Sequence, residues 1–314
     1  MRFPVILPCN ELPTLPEFEQ ATAVEGYLRA SVSENTWRAY RDDLKHFSNW
    51  GGTLPATPEQ IAAYLAHFAP IHAVSTLARR LASLSKAHRI SGYINPISTE
   101  LVRSTLQGIR NTHGTHQRQV APAIKEDILA MVRGLSGIKG SRDKALLLIG
   151  FAGAFRRSEL VSLTVEDVEH VKQGIVIHLR RSKTDQAGEG RKIAIPYARG
   201  TVCPVHALQE WLDLSGITTG LIFRGITRHG KIADEGLSPQ SVALVVKERA
   251  AAVGLDATKY AGHSLRAGLV TSAAQAGVSS WKIRQQTGHK SEAMLLRYIR
   301  DANIFTDNAA GGVL

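Results

Sequence analysis

The segment "NTHGTHQRQVAP", Asn111 to Pro122, does most to limit what this chain can become. It is polar and basic, it contains Gly114 and Pro122, and it carries no apolar periodicity, so it is expected to interrupt regular structure. Apolar patterning is strong on both sides of it. A chain of 314 residues divided in this way is expected to build two cores. The boundaries expected are 1–112 for the first domain, 113–122 for the linker and 123–314 for the second domain. His113 and His116 have the spacing of metal ligands, but no partner cluster lies beside them, so they read as linker residues.

The first part is helical throughout. In "SENTWRAYRDDLKHFSNW", Trp37, Tyr40, Leu44 and Phe47 recur at helical spacing behind a candidate N-cap, Ser33. "TPEQIAAYLAHFA" opens with Thr57, then Pro58 at the first helical position and Gln60 at the capping-box position. Leu77, Leu81 and Leu84 share one face of a third helix that stops near Gly92. "STELVRSTLQGIR" supplies a fourth after Pro96. Short helices joined by short loops predict a compact helical domain.

The second part begins with "KEDILAMVRGL" and a buried helix ending at Phe155. "RRSELVSLTVEDVEHV" reads as a short helix running into a turn. "GIVIHLRRSKT" alternates, with Ile175, Ile177 and Leu179 on one face, and "GEGRKIAIP" reads as its antiparallel partner. The remainder reads as mostly helical. The fold class expected is mainly α with a small antiparallel β-sheet. Cys203 and His206 form a C-x-x-H pair, but Pro204 at a helix start and the lack of further cysteines nearby favour packing over zinc.

Formal charge is +11, with the larger share on residues 121–314. A basic excess of this size favours a polyanionic partner, nucleic acid first. No polybasic amphipathic helix speaks for a membrane surface. Two cysteines, Cys9 and Cys203, do not make a disulfide framework, so a cytoplasmic setting is expected. The run from Lys144 to Phe155 is too short to span a bilayer, and Met1 to Asn10 is broken by Pro4 and Pro8, unlike a signal peptide.

"YAGHSLRAG", Tyr260 to Gly268, sets His263 and Arg266 three apart on one helical face. The pair could hold an anion between an imidazole and a guanidinium; equally, Ser264 could cap an ordinary helix. "AFRRSELVSL" carries Arg156 and Glu159, "RRSKTD" carries Lys183 at a strand end, and "TGHKSEAMLLRYIR" carries His289 and, nine residues later, Tyr298. Taken singly, Lys183 reads as an exposed lysine and Tyr298 as a core aromatic. Taken in order, the set resembles the tyrosine recombinase (phage integrase) family. Its signature is an Arg with an acidic residue three further on, a hairpin Lys, H-x-x-R, Gly followed by His or Trp, and a later Tyr. "NTWRAYRDDLKHFSNW" is similar to that family's helical, SAM-like core-binding domain, and "RYIRDAN" is similar to the Cre-like recombinases. Phe155, preceded by Ala154, stands where the family usually has Gly before the first Arg. Ala267 stands where many members carry a second His.

The resemblance implies a two-domain clamp closing on double-stranded DNA and conservative site-specific recombination. It further implies a homotetramer on two DNA sites and passage through a Holliday junction, with no metal or cofactor. Arg156 and Arg266 are then the phosphate clamp, with Arg157 the competing choice in the first motif. His289 adds a hydrogen bond to the phosphate, Tyr298 is the nucleophile, Lys183 the general acid, His263 a supporting acid–base group and Glu159 an orienting carboxylate. A type IB topoisomerase and a catalytically silent DNA-binding regulator are the rival readings. The N-terminal helical domain and the short tail argue against the first, and the complete residue set against the second.

Overall fold

The computed structural model describes residues 26–27, 30–116, 120–180, 190–200, 202–289 and 295. Lys183, Tyr298 and the tail that follows it lie outside these residues. The chain divides into two compact units, Met1–Arg118 and Gln119–Leu314.

The first unit contains helices α1 (Glu34–Asn49), α2 (Pro58–Phe68), α3 (Val74–Ile90) and α4 (Glu100–His113). Ser33 Oγ accepts the Thr36 N–H at the start of α1, and Thr57 Oγ1 accepts the Gln60 N–H at the start of α2 (3.2 Å). Only half of the expected capping box forms, because Gln60 Oε1 takes the Thr53 N–H instead. The core gathers Phe47, Ile61, Tyr64, Leu65, Leu77, Leu81, Leu84 and Val102. Of the aromatic stripe on α1, Phe47 is fully buried, while Trp37 and Tyr40 are half-buried and line a surface groove with Leu54 and Tyr93. Asp43 is buried where α1 meets α3. Its carboxylate accepts from Arg79 (2.5 Å) and Ser83 (2.6 Å), so this buried charge is partnered.

The second unit begins with α5 (Lys125–Val132) and α6 (Gly137–Ala152). The apolar run around Lys144–Phe155 lies mostly within α6, whose Ala145 to Ile149 are all buried. Helix α7 (Arg157–Val161) follows. A three-stranded antiparallel sheet is then built in the order β1 (Val168–Val171), β2 (Gly174–Leu179), β3 (Arg191–Pro196). Ile175 pairs with Ile195 and Ile177 with Ile193, so the alternating apolar faces meet the core together. Residues 168–171 do not stay in the turn expected for them. They form β1, because the N–H and C=O groups exposed along β2 offer a partner for antiparallel pairing.

Helix α8 (Pro204–Ser215) seats Trp211, whose Nε1 donates to the Ile222 carbonyl (2.9 Å). A second hairpin, β4 (Arg224–Ile226) with β5 (Ile232–Gly236), interrupts the stretch expected to be helical. Helices α9 (Pro239–Ala252), α10 (Ser264–Gln275) and α11 (Ser280–Thr287) follow. Buried Asp143 on α6 is held by Arg142 (2.7 Å) and by Arg249 of α9, which ties these helices together. Cys203 Sγ accepts the Ala198 N–H, and His206 is exposed beside the Tyr197 ring.

Candidate active site

Four places in the second unit point at one another: the turn before α7, the start of α10, the end of α11 and the start of β3. The turn before α7 is made by Ala154, whose φ is +49° although it is not glycine. A left-handed alanine costs about 1 kcal/mol. The conformation aims the Ala154 carbonyl at Arg266, whose Nη1 donates to it at 2.7 Å. Arg266 is almost wholly buried on the first turn of α10.

Arg156 precedes the first residue of α7. Its backbone N–H donates to Glu159 Oε2 (2.9 Å), and its Nη1 donates to Oε1 (2.5 Å). One carboxylate thus caps the helix and fixes the guanidinium that begins it. Arg157 is exposed, and it is Arg156 that pairs with Glu159.

The two glycines of "YAGHSLRAG" have separate reasons. A Cβ on Gly268 would lie 1.7 Å from the Ala123 carbonyl oxygen, so α10 can approach this backbone only without a side chain there. Ala123 N–H donates to the Ser264 carbonyl at the same contact (2.9 Å). A Cβ on Gly262 would press on Arg157 Cβ at 3.3 Å. Ser264 does not cap α10: its Oγ turns back to accept the Ala261 N–H (3.0 Å), and His263 occupies the N-cap position. Tyr260, just upstream, donates to Asp127 Oδ2 (3.0 Å), and burial with that carboxylate pushes its phenol up to about 12.

His263 keeps an exposed edge, but protein crowds the rest of its ring. Burial first, then Arg266 and Arg156, hold its pKa below the ordinary imidazole value. His289 lies just past α11 and is buried. Burial first, then Arg266, Arg156, His263 and Arg191, push it down to about 3. Its Nδ1 meets Thr287 Oγ1 at 2.7 Å. The structure therefore gathers Arg156, Glu159, His263, Arg266 and His289 into one cationic site.

Two further residues join this site that the motif reading did not single out. Arg191 reaches Glu159 Oε2 from β3 (3.5 Å) and donates to the Gln286 carbonyl in the last turn of α11 (3.1 Å). Burial holds its pKa below the ordinary guanidinium value; Glu159 opposes that shift and Arg156 adds to it. A Cβ on Gly288, whose φ is +66°, would sit 2.4 Å from Arg191 Nη1, so the guanidinium passes over bare backbone. Strand parity was the available signal: Arg191 shares its face with the buried Ile193 and Ile195. Thr287 is the other. It lies four residues after buried Ile283, on the inner face of α11.

Two anchored guanidiniums and two imidazoles close enough to shift one another's protonation are chemically able to take a tetrahedral anion. No helix among the described residues is long and apolar enough to cross a membrane. Residues 124–303 match the Phage integrase family, and residues 26–90 match the Phage integrase N-terminal SAM-like domain. The chain belongs to the phage integrase family, the tyrosine recombinases. It is 44% identical to an integrase/recombinase XerD homolog of Selenomonas ruminantium, over 90% of this chain and 86% of that one. It is 25% identical to recombinase Cre of Escherichia phage P1, with 93% of each chain covered. Its fold is shared with the XerH site-specific recombinase in a post-cleavage complex with its difH substrate. That match has a TM-score of 0.62 at 17% identity and covers 88% of this chain and 78% of that one.

Proposed function

We propose that this tyrosine recombinase cuts and rejoins DNA at a specific duplex site through a 3′-phosphotyrosine intermediate. The observation that carries the proposal is the cluster of Arg156, Arg266, His263 and His289 around one space, with Glu159 and the Ala154 carbonyl fixing the two guanidiniums. A phosphodiester repels nucleophiles and gains charge on its non-bridging oxygens as phosphorus becomes five-coordinate. Arg156 and Arg266 neutralise that charge with forked donors that stay protonated, and His289 contributes a further hydrogen bond. Tyr298 attacks phosphorus: its oxygen forms the new P–O bond, and the bond to the 5′-oxygen breaks. Lys183 protonates that leaving oxygen. His263 supports these proton movements. A 5′-hydroxyl from a partner strand then reverses the step, so bond energy is conserved throughout.

Carried through both strand pairs by a homotetramer on two DNA sites, this exchange passes through a Holliday junction. The similarity to the XerD homolog and to Cre over most of their lengths supports this course. The charge of +11 favours the DNA partner.

The test is trapping of a covalent protein–DNA adduct on a nicked suicide substrate. The wild type is expected to form it, and Tyr298→Phe to bind the same DNA without forming it. Lys183→Ala is expected to cut slowly and to recover on a 5′-bridging phosphorothiolate, whose thiolate leaves unprotonated. An undiminished adduct from Tyr298→Phe removes that residue from the role. Relaxation of supercoiled DNA by single protomers without recombination would move the reading to a topoisomerase.

A further inference from the structure

The Ile283 carbonyl can only accept, so the hydroxyl hydrogen that closes its 2.8 Å contact with Thr287 Oγ1 comes from the threonine. The 2.7 Å contact between the same Oγ1 and His289 Nδ1 then needs its hydrogen from the imidazole. One hydroxyl therefore places the ring proton on Nδ1. His88 in the first unit shows the same logic in a fully determined case. Its Nε2 accepts the Ala56 N–H (3.0 Å), and its Nδ1 donates to the Leu84 carbonyl (2.8 Å).

We propose that Thr287 is a positioning residue that holds neutral His289 in the Nδ1–H form, so that His289 can donate to a phosphate oxygen from Nε2 only as an imidazolium. The proposal rests on the assignment of His289 to the scissile phosphate. Among the described residues, the charged and titratable groups facing His289 are Arg266 from α10, His263 at its N-cap, Arg156 before α7 and Arg191 from β3. All four oppose a proton on His289, and with burial they favour the neutral ring in the free protein. A seated phosphate reverses the balance, since its negative charge offsets the guanidiniums and favours the imidazolium. The proton comes from solvent, and the N–H bond it forms at Nε2 points at the anion. Arrival of the scissile phosphate thus completes the donor set. A neutral Nε2–H ring would have been a donor whether or not DNA was present.

Two measurements test this. Ring-¹⁵N-labelled protein at neutral pH is expected to show His289 neutral with Nδ1 protonated when free, and as imidazolium when bound to the suicide duplex. Adduct formation is then timed from pH 6 to 9 for the wild type, Thr287→Val and Thr287→Ser. Valine releases the ring to protonate Nε2 while neutral. The ratio of the Thr287→Val rate to the wild-type rate is expected to climb by about tenfold per pH unit above the pKa of the bound imidazolium. Thr287→Ser keeps the hydroxyl and is expected to track the wild type. A neutral Nε2–H ring in the free wild type overturns the proposal, as does a ratio that stays flat with pH. Failure of the wild type to form any adduct sinks the phosphotyrosine reading instead, and the nitrogen spectrum still decides the tautomer.

Discussion

Glu159→Gln isolates what the buried carboxylate contributes to the site. Glutamine preserves shape and one acceptor oxygen, but it removes the charge that Arg156 meets at 2.5 Å and Arg191 at 3.5 Å. A hydrogen bond to a charged group contributes about 1.5–3 kcal/mol, against about 0.5–1.5 kcal/mol for a neutral one. The Arg156 N–H and Nη1 use the two Glu159 oxygens separately. Arg156 stays charged, but glutamine keeps only one acceptor oxygen. One of these bonds, worth roughly 1.5 kcal/mol, is therefore lost, and the longer Arg191 contact weakens by less. The total of about 2 kcal/mol stays below the ~3–5 kcal/mol seen when a buried ion pair loses a partner outright, because glutamine still accepts. In the proposed mechanism Arg156 meets the phosphate, so part of this loss falls on the transition state. Cleavage is expected to slow by about 5- to 30-fold, which corresponds to ~1–2 kcal/mol. DNA affinity should not fall, since the substitution makes the protein more positive. The assay pairs single-turnover adduct formation with a binding titration on the same duplex and a urea melt. Wild-type cleavage by the variant would refute the orienting role, and an affinity loss as large as the rate loss would show that Glu159 serves binding instead.

Gly268→Ala drives a methyl group into the Ala123 carbonyl and should cost at least ~2 kcal/mol in a urea melt; a loss below ~0.5 kcal/mol would mean that α10 is not held against that backbone. Arg191→Gln removes the cation between Glu159 and α11, so it should slow adduct formation while leaving the first unit's hydrogen-exchange protection unchanged; wild-type cleavage would reduce Arg191 to a bystander. His289 is lowered from 6.5 to about 3 in the folded protein, so the unfolded chain takes the proton first. The stability it contributes is full above pH 6.5 and is lost as pH falls toward 3, by up to ~1.4 kcal/mol per unit. Urea midpoints between pH 7 and 4 should show this loss, with a shallower slope in His289→Asn. Affinity for duplex DNA should drop steeply between 50 and 200 mM salt, and a flat response would argue against phosphate contacts as its main source.

The sequence alone was enough at several places where the determining interaction is local. Ser33 and Thr57 announce helix starts because the N–H groups they accept lie three residues away. Ile175, Ile177 and Leu179 announce a strand because side-chain parity is a property of the chain itself. The order of Arg156, Glu159, His263, Arg266 and His289 was equally legible, since their spacing repeats a family signature. Tertiary structure decided everything that needs a second, distant backbone. The strand Val168–Val171 exists because β2 offers unpaired hydrogen-bonding groups, and its own four residues carry no periodicity strong enough to reveal it. Arg266 is fixed by a carbonyl more than a hundred positions earlier, at an alanine held in a glycine-like conformation. Arg191 and Thr287 belong to the site only because β3, α7 and α11 converge there, leaving bare backbone at Gly288 for the guanidinium to cross. A guanidinium or an imidazole takes its orientation and protonation from the partners around it, and folding alone brings those partners within reach.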